Sequence, residues 1–110
     1  IFINYEIYQS DDLETMSMGF SGFFEKTDSV IDFSKYQFKH AGYMDKQTDD
    51  INEILEIIYY LFNMSNRPGA SNMRSLSIGD IVKLEERYYL VAAIGFLDVT
   101  EKIKMSIATM

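Results

Sequence analysis

The pattern of apolar and polar positions divides the chain into short strands and one long amphipathic helix. Apolar side chains alternate at period two over residues 1–8, which predicts a first strand. Its two sides carry Ile1, Ile3, Tyr5 and Ile7 against Phe2, Asn4, Glu6 and Tyr8. A second alternation over residues 35–44 predicts another strand, with Tyr36, Phe38 and His40 on one side.

The clearest element is a helix predicted over about residues 51–63. Asp50 is placed to cap its N-terminus, and Glu53 three residues later completes a capping-box pattern. A polar loop over residues 65–72, which contains Pro68-Gly69, ends the helix. Apolar residues recur at the three- and four-residue intervals of one helical face: Ile51, Ile54, Leu55, Ile58, Leu61 and Phe62.

The remaining chain predicts β-structure over residues 74–84 and 88–94. Gly79 interrupts the first strand and is free to adopt a positive φ, and the Asp80 side chain can bond nearby backbone amides. Gly95 suggests a bulge. For residues 99–110 two alternatives stay open, a short helix or a loosely held tail. No linker or repeat divides residues 1–110, so we predict one α+β domain. Its antiparallel sheet of four to five strands packs against one main helix.

Composition indicates where such a domain works. Apolar residues make up 47% of the 110 positions, enough for one core. The absence of cysteine excludes disulfides and thiol chemistry and favours a reducing, cytoplasmic location. No segment reaches the roughly 18 apolar residues of a membrane span, and no signal peptide is expected. Because the first residue is Ile1 rather than methionine, we expect preceding residues.

Charge and tyrosine content point to a protein partner. The net charge is −7, and residues 1–50 carry ten acidic and four basic side chains. Nucleic-acid binders normally present a basic patch, so we expect no direct nucleic-acid binding but attraction to a basic partner. Eight tyrosines favour an interface, because tyrosine is enriched at binding hot spots. The expected partner-binding residues are Asp11, Asp12, Glu14, Glu25, Asp28, Asp32, Tyr36, Tyr43, Arg67 and Arg74, the two arginines forming a cationic spot.

Catalysis and metal binding find little support in the sequence. His40 is the lone histidine, and the serines near Asp80 lack the Gly-x-Ser-x-Gly elbow of a hydrolase. Adjacent acidic pairs such as Asp49-Asp50 lack the spacing of a calcium loop. We therefore expect no catalytic residue, cofactor or metal. An enzyme would need His40 in a concave pocket beside a carboxylate or a serine.

The second half of the chain resembles the YodL-like domain family. The resemblance is carried by the helix Glu53 to Asn63, Arg67-Pro68-Gly69, Arg74-Ser75-Leu76-Ser77-Ile78-Gly79-Asp80-Ile81-Val82, Tyr88-Tyr89 and Gly95-Phe96. Two features depart from it: Gly79 stands where many members have serine, and the connection at Glu85-Glu86 is short. The resemblance implies a protein of phages, plasmids or conjugative elements of Firmicutes, often encoded near genes that counter host defence.

These observations lead to two functional expectations. The first is a non-enzymatic inhibitor that binds a bacterial defence nuclease, a Cas nuclease or a restriction enzyme, through an acidic, tyrosine-rich surface. Such nucleases carry basic nucleic-acid channels, which an acidic protein can occupy. The alternative is an accessory module of a mobile element that associates with itself, as a homodimer, or with proteins of the same element.

Overall fold

The structure, a computed structural model, describes residues 1–12 and 30–110 and has an α+β architecture. Its centre is a five-stranded antiparallel sheet with the order β2-β1-β3-β4-β5. The strands are β1 (Phe2–Gln9), β2 (Gln37–Asp45), β3 (Ile81–Leu84), β4 (Arg87–Val91) and β5 (Phe96–Asp98). The helical elements are a 3₁₀ turn (Phe33–Lys35), α1 (Ile51–Leu61) and α2 (Thr100–Ala108). The predicted fold class is therefore confirmed.

Each face of the sheet has its own core. On the first face, β1 and β3 pack against α1, and the buried residues include Ile3, Tyr5, Ile7, Ile54, Leu55, Ile58, Phe62 and Val82. On the second face, α2 and the 3₁₀ turn cover the β4 side, around Ile31, Tyr36, Ile81, Tyr88, Leu90, Val99 and Ile103. The period-two alternation of β1 sends its odd-numbered residues to α1 and leaves Phe2, Asn4 and Glu6 on the second face.

A bulge corrects the predicted alternation of β2. Ile7 pairs with His40 and Tyr8 with Phe38, so that Lys39 is the extra residue. The bulge shifts the side chains by one position. Phe38 therefore shares a face with Tyr43, whereas His40 lies on the α1 side, and the prediction that Phe38 and His40 share a side is wrong.

The predicted cap of α1 is confirmed in part. The Asp50 carboxylate accepts a hydrogen bond from the Asn52 amide at 2.9 Å. The Asp50 amide donates to the Thr48 hydroxyl at 3.1 Å. Thr48, and not Glu53 as the capping-box pattern predicts, therefore accepts the hydrogen bond from the N-cap amide. The helix ends at Leu61 rather than at residue 63, with the buried Phe62 as its C-cap.

The region after α1 contains less strand than predicted. Within residues 74–84 only Ile81–Leu84 is β-structure, because Gly79 adopts a φ of 93° and turns the chain. The predicted strand over residues 88–94 ends at Val91, and a turn in which Gly95 has a φ of 74° leads into β5. Of the two alternatives for residues 99–110, the short helix is the one formed, as α2. Among the described residues, no helix has the length and apolarity needed to cross a bilayer.

Candidate functional site

A buried ion pair fastens the loop before β3 to the end of β1. The Arg74 guanidinium donates two hydrogen bonds to the Asp80 carboxylate, at 2.7 and 2.9 Å. Asp80 is fully buried, and it also accepts from the Ser77 amide at 2.8 Å and from Gln9 Nε2 at 3.0 Å. Arg74 Nη2 further donates to the Ser10 carbonyl at 2.9 Å. The pair thus joins segments that are distant in sequence.

The charges of this pair are balanced by burial and hydrogen bonds within the chain. Burial raises the pKa of the Asp80 carboxyl, and the hydrogen bonds from Arg74, Ser77 and Gln9 oppose that rise. The pKa of Arg74 is raised, chiefly by its bonds to Asp80. Arg74 also donates hydrogen bonds to the Ser10 and Ser75 carbonyls, and its Nε lies 3.7 Å from Asp11 Oδ1. Few of its N–H donors are therefore available to a partner.

Arg67, the other member of the predicted cationic spot, also forms hydrogen bonds within the chain. Arg67 Nη2 donates to the Met73 carbonyl at 2.8 Å, and Nη1 donates to the Met64 carbonyl at 3.4 Å. These bonds close the loop between α1 and β3. The arginines Arg67 and Arg74 therefore hold loops in place, and their role as a cationic spot for ligands stays a prediction.

Tyr36, another of the predicted partner-binding residues, is largely buried. Its side chain is only 8% exposed, and its ring stacks on Phe33 at a centroid distance of 5.9 Å. The hydroxyl donates to the Gly79 carbonyl, and burial raises the pKa of the phenol. Tyr36 is consequently a core residue that supports the turn before β3, and little of its surface is exposed to a partner.

Three of the predicted acidic residues lie near the end of β1. Asp11 is exposed, and the Asp12 carboxylate forms an ion pair with Lys35 Nζ at 3.2 Å. Asp32 accepts hydrogen bonds from the Ser34 amide and hydroxyl, which lower the pKa of its carboxyl. The three others, Glu14, Glu25 and Asp28, lie outside the described residues.

Tyr43 occupies a different and more exposed place. It forms an edge-to-face pair with Phe2, with ring centroids 5.2 Å apart and an interplanar angle of 82°. The side chains are 65% (Phe2) and 67% (Tyr43) exposed, on the half of the second sheet face that α2 and the 3₁₀ turn leave open. We call this pair the aromatic face. The sequence offered a signal for Phe2, since it is an aromatic residue on the polar side of the first alternation, but the prediction passed over it.

Three carboxylates lie on β1, β2 and the β3–β4 turn near the aromatic face. Asp45 lies opposite Phe2 in the β1–β2 register, and Glu6 lies further along the same side of β1. Glu85 accepts a hydrogen bond from the Asn4 amide at 3.0 Å, which places its carboxylate on the β3 side of β1, next to Asn4. Lys83 Nζ, 3.6 Å from Glu6, offsets part of this charge. We call Glu6, Asp45 and Glu85 the acidic rim.

Among the described residues, the immediate neighbours of the His40 ring include aromatic side chains. Its ring lies near Tyr5 and Phe62, at centroid distances of 6.0 and 5.6 Å. It also lies against Gly69, where the Cβ of any larger residue would stand 3.2 Å from Nδ1. Within residues 1–12 and 30–110, no carboxylate or hydroxyl is hydrogen-bonded to His40. Across the same part of the chain, no cluster of three or more potential ligands could hold a metal ion.

Among the described residues, the fold forms a small α+β domain with one sheet face covered by α1 and a half-open second face. The chain matches the family model of the YodL-like domain over residues 4–101, from within β1 to within α2, and it belongs to that family. It is also similar to uncharacterized protein R785 of Acanthamoeba polyphaga mimivirus. The two are 35% identical over 74 residues, which cover 57% of this chain and 68% of the viral protein. No solved structure matches the chain.

Proposed function

We propose that the protein acts by binding another protein, as an inhibitor from a phage or mobile element that targets a bacterial defence nuclease. The observation that supports this proposal is the exposed aromatic face inside its acidic rim. Tyr43 and Phe2 offer an exposed aromatic anchor, and Glu6, Asp45 and Glu85 add negative charge near it. Aromatic anchors with a polar rim are typical of protein interfaces.

The chemistry of this surface suits a basic partner. Lysine and arginine side chains bind the faces of aromatic rings, and they form ion pairs with carboxylates. A Cas nuclease or restriction enzyme presents such side chains along its nucleic-acid channel. The net charge of −7 also favours fast association with a basic surface, an effect that salt weakens. Membership of the YodL-like family and similarity to a viral protein are compatible with a mobile-element origin.

The proposal is tested by titrating the protein against purified Cas nucleases and restriction enzymes while cleavage and binding are measured. We expect Tyr43→Ala to weaken binding roughly 30-fold, since a hot-spot residue contributes about 2 kcal/mol or more. Tyr60→Ala is the matched control, because Tyr60 is 72% exposed but lies on α1, away from the aromatic face. If no nuclease binds, or if both variants behave alike, the proposal is wrong.

A self-associating accessory module is the second candidate. It is favoured by one observation, that the exposed Phe2, Phe38 and Tyr43 lie on a single sheet face, on the edge strand β2 and its neighbour β1. Exposed apolar residues on such a strand also suit pairing between copies. Light scattering over a range of concentrations separates the two candidates, because an inhibitor of this kind stays monomeric until its target is added.

A further inference from the structure

We propose that the outer edge of β2 receives an extended segment of the partner as an added strand, with lysine or arginine at every second position of that segment. This inference rests on the proposed function and deepens it, since it names the chemistry of the bound segment and the way it is held. Its support is the backbone of residues 41–45 together with the aromatic face and the acidic rim.

The register shows which backbone groups of β2 point outward. Lys46 donates its amide proton to the Ile1 carbonyl at 2.8 Å, in line with the β1–β2 pairing. In an antiparallel pair, bonded and non-bonded residue pairs alternate along the strands. The N–H and C=O groups of Ala41, Tyr43 and Asp45 therefore face away from β1.

Asn4 supports this assignment independently. It lies opposite Tyr43, yet its amide donates to the Glu85 carboxylate and its carbonyl accepts from the Glu85 amide, both at 3.0 Å. Its backbone is thus turned away from β2. No described residue forms a hydrogen bond with the outward groups of Ala41, Tyr43 or Asp45, and β2 is the last strand on its side among those described.

The opposite end of β2 is closed to an added strand. The bulge at Lys39 breaks the regular spacing there, and the Lys39 carbonyl accepts a hydrogen bond from Asn72 Nδ2 at 2.9 Å. The open edge is therefore the short stretch of residues 41–45, enough for three backbone pairing positions. Strand addition of this kind is a common mode of peptide recognition.

The same residues determine which side chains the added strand carries. Ala41, Tyr43 and Asp45 place their side chains on the half-open face, beside Phe2. A strand roughly 4.8 Å away places every second side chain next to them. A lysine or arginine there meets the Tyr43 ring and the Asp45 carboxylate. An acidic second copy of this chain, with a net charge of −7, fits this edge less well.

The test uses a seven-residue capped peptide in which lysine alternates with threonine and valine, and binding is measured by fluorescence anisotropy. Two control peptides keep the length. One carries N-methyl groups on the alternate residues that pair with β2, and the other has glutamate in place of lysine. We expect the N-methylated peptide to bind at least roughly 30-fold more weakly, because two or more backbone hydrogen bonds are lost, and the glutamate peptide not to bind.

Two protein-side measurements accompany the peptides. Amide hydrogen exchange at Ala41, Tyr43 and Asp45 slows when the lysine peptide is bound. Ala41→Pro removes one outward N–H, in a position that an edge strand tolerates, and weakens peptide binding roughly fivefold. Ala93→Pro, at an exposed turn residue, is the matched control and leaves binding unchanged. Should Ala41→Pro fail to fold, the N-methylated peptide still tests the pairing on the unaltered protein.

The outcomes separate this inference from the proposed function. Equal binding of the N-methylated and unmodified peptides, no binding of either, unchanged exchange at the three amides, or dimerisation through β2 would each overturn strand addition. If nuclease inhibition then still depends on Tyr43 but not on Ala41→Pro, the proposed function stands and only the strand addition is wrong. Absence of nuclease binding together with tight peptide binding refutes the named target class alone.

Discussion

Replacing Arg74 by methionine tests whether the buried ion pair is what fixes the loop before β3. The substitution keeps most of the side-chain volume but leaves the Asp80 carboxylate buried without its counter-charge. Breaking one partner of a buried pair costs about 3–5 kcal/mol. Because the Arg74 side chain is 35% exposed and that of Asp80 only 1%, we take the lower end, about 3 kcal/mol. That is a large part of the total stability of a domain this size.

The assay is urea denaturation followed by circular dichroism, with thermal melting as a second measurement. For a domain of this length, about 3 kcal/mol lowers Tm by roughly 10–20 °C. Arg87→Met is the matched control. Arg87 and Asp98 form an equally short pair, 2.7 Å between Nε and Oδ2, but both side chains are exposed to water. Solvent screens such pairs, so we expect little loss of stability in the control.

The pH dependence of the stability of Arg74→Met is a second test of the same ion pair. Burial raises the pKa of Asp80, and Arg74 is the main group that opposes the rise, so Arg74→Met raises that pKa further. A carboxyl with a raised pKa binds its proton more readily in the folded state, so stability is lost as pH increases from the unfolded value of about 3.9 to the raised one. The variant should therefore be less destabilised at pH 5 than at pH 8.

A neutral partner should rescue part of the loss. Adding Asp80→Asn to Arg74→Met removes the unpaired charge, and the new side chain can still accept from Ser77 and Gln9. The double variant should be more stable than Arg74→Met alone at pH 8. Two results would refute the idea that a buried ion pair fixes this loop. One is that Arg74→Met lowers the free energy of unfolding no more than Arg87→Met does. The other is that the stability lost in Arg74→Met does not depend on pH.

Three further predictions concern the two cores. Tyr36→Phe removes the hydrogen bond to a buried backbone carbonyl and should lower the free energy of unfolding by about 1 kcal/mol in urea denaturation. Gly42→Ala would place a Cβ 2.7 Å from the Tyr5 hydroxyl oxygen, and we expect a loss of about 1–3 kcal/mol, visible as a lower Tm. Ile58→Ala should cost about 2–5 kcal/mol by the same method, whereas Ile57→Ala, at an exposed position on the same helix, serves as the control that stays near wild type.

The sequence predicted the elements whose signal is local. The three- and four-residue spacing around Ile54 and Ile58 is a property of one helix, and it placed α1 within two residues of its observed end. The alternation in residues 1–8 likewise predicted β1 and separated its two sides, although it did not indicate which side meets the helix. Gly79 and Asp80 behaved as their residue types suggested, with a positive φ and a side chain bonded to the Ser77 amide.

The features that local signals did not predict depend on tertiary contacts. Residues 74–80 have the composition of a strand, but the ion pair with Asp80 and the bonds to Gln9 and Ser10 fold them into a loop. The β2 bulge is visible only in the pairing with β1, so the side of Phe38 was predicted wrongly. Tyrosine type alone does not separate the buried Tyr36 from the exposed Tyr43. The difference arises because α2 and the 3₁₀ turn cover only half of the second face.

The segment from Arg74 to Val82 stabilises the fold and says little about which partner the protein binds. Its charged groups bond each other and Gln9 within the chain. We therefore expect domains that share this motif to share the Arg74–Asp80 ion pair. The aromatic face is different. Phe2 lies before the residues 4–101 that match the family model, and Tyr43 contacts it from the edge strand. Two YodL-like domains can therefore share the Arg74–Asp80 ion pair and present different surfaces at β2. A partner found for one member consequently transfers to another only if that member also carries an exposed aromatic pair and an acidic rim at this edge.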